Sequence, residues 1–151
     1  MDTLRLVLAS NNAKKLKELG ALLAPAGVEL VTQGSLGVTE AEEPHHTFIE
    51  NALAKARHAA AATGLAAIAD DSGLCVDALG GQPGVQSAVY APMPAVAEGA
   101  DREALRRAQD GANNALLLAR LQGIAGRHCR FVSTLVALRH ADDPEPVSIH
   151  I

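Results

Sequence analysis

An aliphatic run near the amino terminus, residues 4–9 (LRLVLA), places the strongest constraint on the fold of this 151-residue chain. A short, nearly continuous apolar run is typical of a strand that is buried on both faces of a sheet. A helix is predicted directly afterwards, over residues 13–24, with Asn12 as its N-cap and Pro25 at its end. The chain therefore begins as an α/β protein would.

Strands and helices continue to alternate along the chain. The later predicted elements are a strand at 28–32, a helix at 47–63, strands at 65–69 and 74–79, helices at 101–109 and 112–121, and a hairpin of strands at 130–139 and 147–151. Thr47 and Glu50 have the spacing of a capping box. Asn113 and Asn114 are interpreted as the cap of the last helix. This order predicts an α/β fold with a mixed sheet, in which ligands bind beyond the carboxyl ends of the strands.

The composition predicts one folded domain with an aliphatic core. Hydrophobic residues make up 48% of the chain and charged residues 20%, which argues against disorder. The chain has no Trp, one Tyr and two Phe, so Leu, Val, Ile and Ala must fill the core. A length of 151 residues is typical of a single domain, predicted here over residues 1–151.

Charge and cysteine content argue against several classes of function. The net charge of −4 and the pI of about 5.8 disfavour a nucleic-acid polymer as partner, since domains that bind one usually have a pI above roughly 9. Two isolated cysteines form neither a disulfide framework nor a zinc site. Neither a signal peptide nor an apolar run of about 18 residues is apparent, so no membrane partner is expected and the predicted location is cytoplasmic.

The first polar cluster lies between the first strand and the first helix. Its members are Ser10, Asn11, Asn12, Ala13, Lys14 and Lys15. Free N–H groups at a helix start, together with hydroxyl, amide and lysine side chains, can bind a phosphate. The cluster lacks the glycines of a P-loop or of a GxGxxG motif. A capped helix with solvated lysines is the alternative interpretation.

The second polar cluster, Asp70-Asp71-Ser72-Gly73, follows an apolar strand and is predicted to form a turn before the next one. Two adjacent carboxylates at the end of a buried strand are costly unless they hold a cation or a proton. Carboxylate oxygens and water are the usual ligands of Mg²⁺. The alternative is a solvated acidic turn in which Gly73 supplies an unusual backbone angle.

The third cluster, Glu40 with Glu42 and Glu43, is by itself typical of a solvated loop. A functional role for these glutamates is indicated only in combination with the other two clusters. A negatively charged protein can bind a polyphosphate when carboxylates hold Mg²⁺ to screen the charge. The three clusters together favour metal-dependent hydrolysis at a nucleotide phosphate, with one carboxylate as the general base for water.

In chain order, the clusters resemble those of the inosine triphosphate pyrophosphatase family, in particular its bacterial members that act on non-canonical purine nucleotides. The matching segments are LVLASNNAKKLKEL (6–19), EAEEP (40–44), TFIENALAKARHAA (47–60), AIADDSGLCVDALGGQPGVQSAVYA (67–91) and LRHADDPEP (138–146). The resemblance implies an elongated mixed sheet flanked by helices, and a homodimer. It further implies Mg²⁺-dependent hydrolysis of the purine nucleoside triphosphates ITP, dITP and XTP to monophosphate and pyrophosphate, which cleanses the nucleotide pool.

The resemblance also implies roles for individual residues. Ser10, Asn12 and Lys15 fall on the phosphate-binding loop, so the whole segment 10–15 is predicted to bind substrate. Asp71 falls on the family's proton acceptor and metal ligand. The remaining predicted site residues are Asp70 beside it, Ser72 in contact with substrate, and Glu43 or its neighbour Glu42 on the metal-binding acid.

Two departures from the family pattern leave alternatives open. Val89 stands before Tyr90, where the family usually has Arg. The chain ends at Ile151, where the family continues into a segment that recognises the purine base, so a C-terminally truncated member is expected. Two interpretations follow: the chain retains the enzymatic activity, or it serves only as a non-catalytic nucleotide-binding, metal-binding or dimerisation module. A related enzyme for modified pyrimidines is a third interpretation, and apolar surface exposed by truncation would promote association.

Overall fold

The computed structural model describes residues 3–151. The strands are β1 (Leu4–Leu8), β2 (Val28–Thr32), β3 (Ala66–Val76), β4 (Cys129–Leu138) and β5 (Val147–His150). The α-helices are α1 (Ala13–Leu23), α2 (Phe48–Thr63) and α3 (Arg102–Arg120). Within this part of the chain, no helix is both long and apolar enough to cross a membrane.

The strands form one mixed sheet in the order β2-β1-β3-β4-β5. β1 runs parallel to β2 and to β3, with Leu8 opposite Thr32 on one side and Ile68 on the other. β4 and β5 form an antiparallel pair in which Thr134 lies opposite His150. The predicted α/β fold with a mixed sheet is therefore confirmed.

Two helices begin at the predicted caps. The Asn12 side chain accepts the N–H groups of Lys14 and Lys15 at 3.0 and 3.2 Å, so it satisfies two donors that the helix start leaves free. The Thr47 hydroxyl oxygen accepts the Glu50 N–H at 3.3 Å. The same hydroxyl donates to the Glu50 carboxylate at 2.6 Å, in place of the backbone N–H that a capping box would use.

The chain forms two compact units, of which the first contains the described residues up to Asp71 together with Ser133–Ile151. Its core is aliphatic, as the composition predicts. The buried side chains that form it come from β1, α2, β3 and β4: Val7, Ala9, Ala52, Ala56, Ala59, Ala60, Ala67, Ala69, Val136 and Leu138. Four of the five α2 residues that are buried are alanines, so this helix packs through small side chains.

The second unit, Ser72–Val132, corrects one sequence prediction. A single helix, α3, replaces the two predicted helices, and Asn113 lies buried inside it instead of capping it. Its side chain accepts the Ala91 N–H at 2.9 Å and donates to the carbonyls of Ser87 and Ala88. Because the neighbouring backbone satisfies this amide, it is stable within a helix where sequence rules would place a cap.

A second correction concerns the segment Asp70-Asp71-Ser72-Gly73. The sequence predicts a turn between two strands, whereas the structure has one continuous strand, β3, through all four residues. Asp and Gly have low strand propensity, but tertiary contacts outweigh that preference. Asp70 binds Lys15 of α1 and Asp71 faces Lys55 of α2. Both carboxylates of β3 therefore have a cationic partner on a helix.

Candidate active site

The parallel register of β1 and β3 brings the first two polar clusters together. Leu8 lies opposite Ile68, and the Ala9 N–H donates to the Ile68 carbonyl at 2.9 Å. Ser10 and Asp70 each follow that pair by two residues, past the carboxyl end of β1, although β3 itself continues to Val76. The carboxyl ends of parallel strands are where α/β folds usually place their ligand sites.

Lys15 and Asp70 join the two clusters directly. The Lys15 Nζ lies 2.5 Å from Oδ2 of Asp70, whose side chain is only 9% exposed. An ion pair of this kind compensates a buried carboxylate that would otherwise be costly. Asp70 is therefore already neutralised by a lysine from the segment that is predicted to bind phosphate.

The cap at the start of α1 is present, but Lys15 is paired with Asp70 and is not a solvated lysine, so the capped-helix alternative for the first cluster holds only in part. Asn12 accepts the N–H groups of Lys14 and Lys15, and the Ser10 hydroxyl oxygen accepts the Asn12 N–H at 3.1 Å. A phosphate group at this position would meet the lysine side chains and would compete with Asn12 for the N–H groups. Phosphate binding by segment 10–15, including Ala13, stays a prediction.

Asn11 connects this segment to the loop that follows β2. Its Oδ1 accepts the Gly34 N–H at 2.8 Å, and its Nδ2 donates to Glu40 at 3.4 Å. The approach at Gly34 is close, since a Cβ placed there would lie 2.9 Å from Cγ of Asn11 and closer still to its Oδ1. Gly34 is therefore required for Asn11 to hold the loop.

Asp71 is the most unusual group of the site. Its Oδ2 is the one buried side-chain nitrogen or oxygen in the described part of the chain without a hydrogen-bond partner. Burial raises the pKa of Asp71 from 3.8 to about 6, the Lys55 ammonium lowers it, Glu43 raises it, and the Asn51 amide and Asp70 make smaller contributions. Asp71 is thus a carboxylate that can exchange a proton close to neutral pH.

The sequence predicted no functional role for Lys55, which the structure places close to two of the predicted acidic residues. Its Nζ lies 2.7 Å from Oε1 of Glu43 and 4.0 Å from Oδ1 of Asp71, and its side chain is 17% exposed. In an alanine-rich helix, a lysine is most simply interpreted as solvated. The one available signal was its position, because Lys55 lies three residues after Ala52 and beside Ala56, both on the buried face of α2.

The acidic residues do not form a complete metal centre. Within residues 3–151, no group of three or more His, Cys, Asp or Glu side chains is close enough to hold a metal ion. Glu43 and Asp71 both lie within 4.0 Å of the Lys55 Nζ, whereas Asp70 binds Lys15 and Glu42 is exposed. The assignment of metal ligands therefore stays a prediction.

The donor set nevertheless fits Mg²⁺, which proteins usually bind through one or two carboxylates, with water and substrate phosphates completing the shell. Asp71 has an oxygen without a partner, and Glu43 supplies a second carboxylate near the same lysine. Ser72 is the next residue of β3 and is half-buried. Its contact with substrate also stays a prediction.

The fold and the site together define an α/β protein with a lysine–carboxylate cluster beyond the carboxyl end of β1. The chain belongs to the Ham1 family, whose model matches residues 6–150. It is 79% identical over 145 residues to the dITP/XTP pyrophosphatase of Leptothrix cholodnii, covering 95% of this chain and 68% of that protein. The dITP/XTP pyrophosphatase of Aromatoleum aromaticum is 57% identical, with 96% and 67% covered.

Solved structures show the same fold. A HAM1 protein from Coxiella burnetii superposes with a TM-score of 0.82 at 36% identity, covering 98% of this chain and 70% of that one. A nucleoside-triphosphatase, or dITP/XTP pyrophosphatase, from Mycobacterium abscessus has a TM-score of 0.74 at 40% identity, with 98% and 71% covered. The family resemblance is confirmed, and the chain spans about two thirds of the length of these relatives.

Proposed function

We propose that this chain is a nucleoside-triphosphate pyrophosphatase that hydrolyses ITP, dITP and XTP to the monophosphate and pyrophosphate, and so cleanses the nucleotide pool. Asp71 carries the proposal, because it is a largely buried carboxylate with a free oxygen, a pKa raised to about 6 and the Lys55 ammonium 4.0 Å away. The similarity of the chain to two dITP/XTP pyrophosphatases supports the substrate class.

Asp71 acts as the general base. It accepts a proton from water, the water oxygen bonds to the α-phosphorus, and the bridge between the α- and β-phosphates breaks with its electron pair leaving on pyrophosphate. A base is most effective when its pKa lies near the working pH. The pKa of Asp71, about 6, is closer to neutral pH than the ordinary aspartate value of 3.8.

Lys15 and Lys55 bind the phosphate chain in this proposal. Each now has a carboxylate partner, Asp70 and Glu43 respectively, so each lysine is held in place before substrate arrives. Ser10, with the rest of segment 10–15, and Ser72 supply further polar contacts to substrate. Preorganised cations of this kind stabilise the charge that develops during phosphoryl transfer.

Asp71 and Glu43 are the residues that would hold Mg²⁺, with Asp70 beside them and Glu42 as the alternative acid. When bound, the ion withdraws charge from the phosphate oxygens and screens the acidic residues from the triphosphate. Residues of the chain provide the remaining chemistry, since Asp71 takes the proton and the two lysines orient the phosphates.

A second candidate function is a non-catalytic nucleotide- or metal-binding module of the same fold. The observation that favours it is that Lys15 and Lys55, each paired with a carboxylate, can bind a polyphosphate whether or not water attacks it. Both candidates predict that the chain binds a nucleotide, but only the first predicts that it hydrolyses one.

The deciding experiment measures pyrophosphate release from ITP, XTP and GTP by the 151-residue chain, with and without Mg²⁺. Mg²⁺-dependent release that favours ITP and XTP, and that is lost in Asp71→Asn, is the expected result. A folded chain that binds ITP without releasing pyrophosphate would establish the second candidate instead.

A homodimer and a cytoplasmic location are proposed on the family resemblance. Association is also consistent with β5, which exposes the apolar side chains of Val147 and Ile149 by 62% and 53%. Sedimentation equilibrium tests the dimer, and a stable monomer at micromolar concentration would contradict it.

A further inference from the structure

Asn51, in the first turns of α2, holds the loop that carries the third cluster, residues 38–46, which we call the acid loop. Its Oδ1 accepts the His45 N–H at 3.0 Å, and its Nδ2 donates to the His45 carbonyl at 3.2 Å. Asn51 is only 1% exposed. Because one buried amide satisfies both backbone groups of His45, the loop is fixed at this residue.

The same amide also acts on the catalytic carboxylate. The Asn51 amide lowers the pKa of Asp71 and so opposes part of the effect of burial on that carboxyl. Glu43 lies two residues before the fixed His45, and its carboxylate contacts Lys55, which in turn faces Asp71. Asn51 therefore fixes the loop that carries Glu43, and the Glu43 carboxylate reaches the lysine that faces Asp71.

We propose that Asn51 is a positioning residue, which fixes the acid loop so that Glu43 and Asp71, the two carboxylates that would hold Mg²⁺, both face Lys55. The proposal rests on the proposed function and assigns Asn51 no contact with substrate. Partners that orient metal ligands typically change metal affinity by about 10–100-fold when they are replaced.

The test compares two buried amides that both bind backbone groups. Asn51→Ala releases the acid loop, whereas Asn113→Ala removes the equivalent contacts to Ala91, Ser87 and Ala88 in the second unit. Each variant is titrated with MgCl₂ alone, the apparent affinity is read from the rise in the unfolding temperature, and amide hydrogen exchange is followed at His45.

We expect Asn51→Ala to bind Mg²⁺ at least about 10-fold more weakly and to exchange the His45 amide faster. Asn113→Ala is expected to keep the wild-type values of both. Equal Mg²⁺ affinities in wild type and Asn51→Ala would overturn the proposal. An equal loss in both variants would also overturn it, because a general effect of destabilisation would then explain the result.

His45→Pro keeps the test decisive if Asn51→Ala does not fold. This change removes the N–H that Asn51 accepts and leaves the buried face of α2 intact. We expect the same direction of change in Mg²⁺ affinity, and an unchanged affinity would overturn the proposal.

Failure of the proposed function gives a different result. A wild-type chain that neither responds to Mg²⁺ nor releases pyrophosphate from ITP overturns the proposed function. The positioning role is then decided at His45, where equal exchange rates in wild type and Asn51→Ala overturn it.

Discussion

Replacing Asp71 by Asn should make the protein more stable and inactive. Burial raises the pKa of Asp71 from 3.8 to about 6, so the folded state favours its neutral form. A difference of about 2 pKa units corresponds to roughly 3 kcal/mol of free energy of unfolding. The side chain is only 12% exposed, so solvent screening reduces this value little. Asn resembles the protonated carboxyl in shape and charge, and it avoids that cost.

The gain in stability expected for Asp71→Asn depends on pH. Below about pH 4, Asp71 is protonated in the folded and the unfolded chain, so its ionisation costs nothing there. Between about pH 4 and 6 the folded chain retains a proton that the unfolded chain has lost, and the stability of the wild type falls as the pH rises. The stability advantage of Asp71→Asn should therefore grow through this window to about 3 kcal/mol above it.

Urea denaturation at pH 4, 6 and 8, in buffer with a metal chelator, measures this difference. Asp142→Asn is the matched control, because Asp142 is exposed and lies in the turn between β4 and β5. Its stability should follow that of the wild type at every pH. An Asp71→Asn variant no more stable than the wild type at pH 8 would refute the argument from burial. Pyrophosphate release that persists in this variant would refute the role of Asp71 as base.

Three further predictions concern the same site. Lys55→Met should lower kcat/KM for ITP and move its acidic limb to higher pH, because the Lys55 ammonium lowers the pKa of Asp71; a pH profile at the wild-type position would contradict this. In the wild type at low Mg²⁺, kcat/KM should fall as the pH drops below about 6, because protonated Asp71 cannot accept a proton from water; raising the Mg²⁺ concentration should move this acidic limb to lower pH, since the ion and the proton compete for one carboxylate, and a limb that Mg²⁺ does not move would contradict the double role of Asp71. Gly34→Ala should displace Asn11 and raise KM, whereas Gly20→Ala, at a site with open space, should leave KM unchanged; equal KM values in both variants would count against a role for Asn11.

Local structure was the part of this protein that its sequence determined. β1 and β2 could be found from short apolar runs, and the starts of α1 and α2 from Asn12 and Thr47, because these signals act between neighbouring residues. The order of strands and helices, read from these same local signals, indicated a mixed α/β sheet. The polar clusters were found by residue type, and the family resemblance joined them into one hypothesis.

Contacts between distant residues were decided only by the tertiary structure. Lys15 and Asp70 are 55 positions apart and meet because β1 and β3 are parallel neighbours. The burial that raises the pKa of Asp71, and the contact of Lys55 with Glu43, depend on how α2 packs against the sheet. Burial and charge pairing depend on all the groups around a side chain, most of which are remote in sequence, whereas caps and strand periodicity depend on a few adjacent residues.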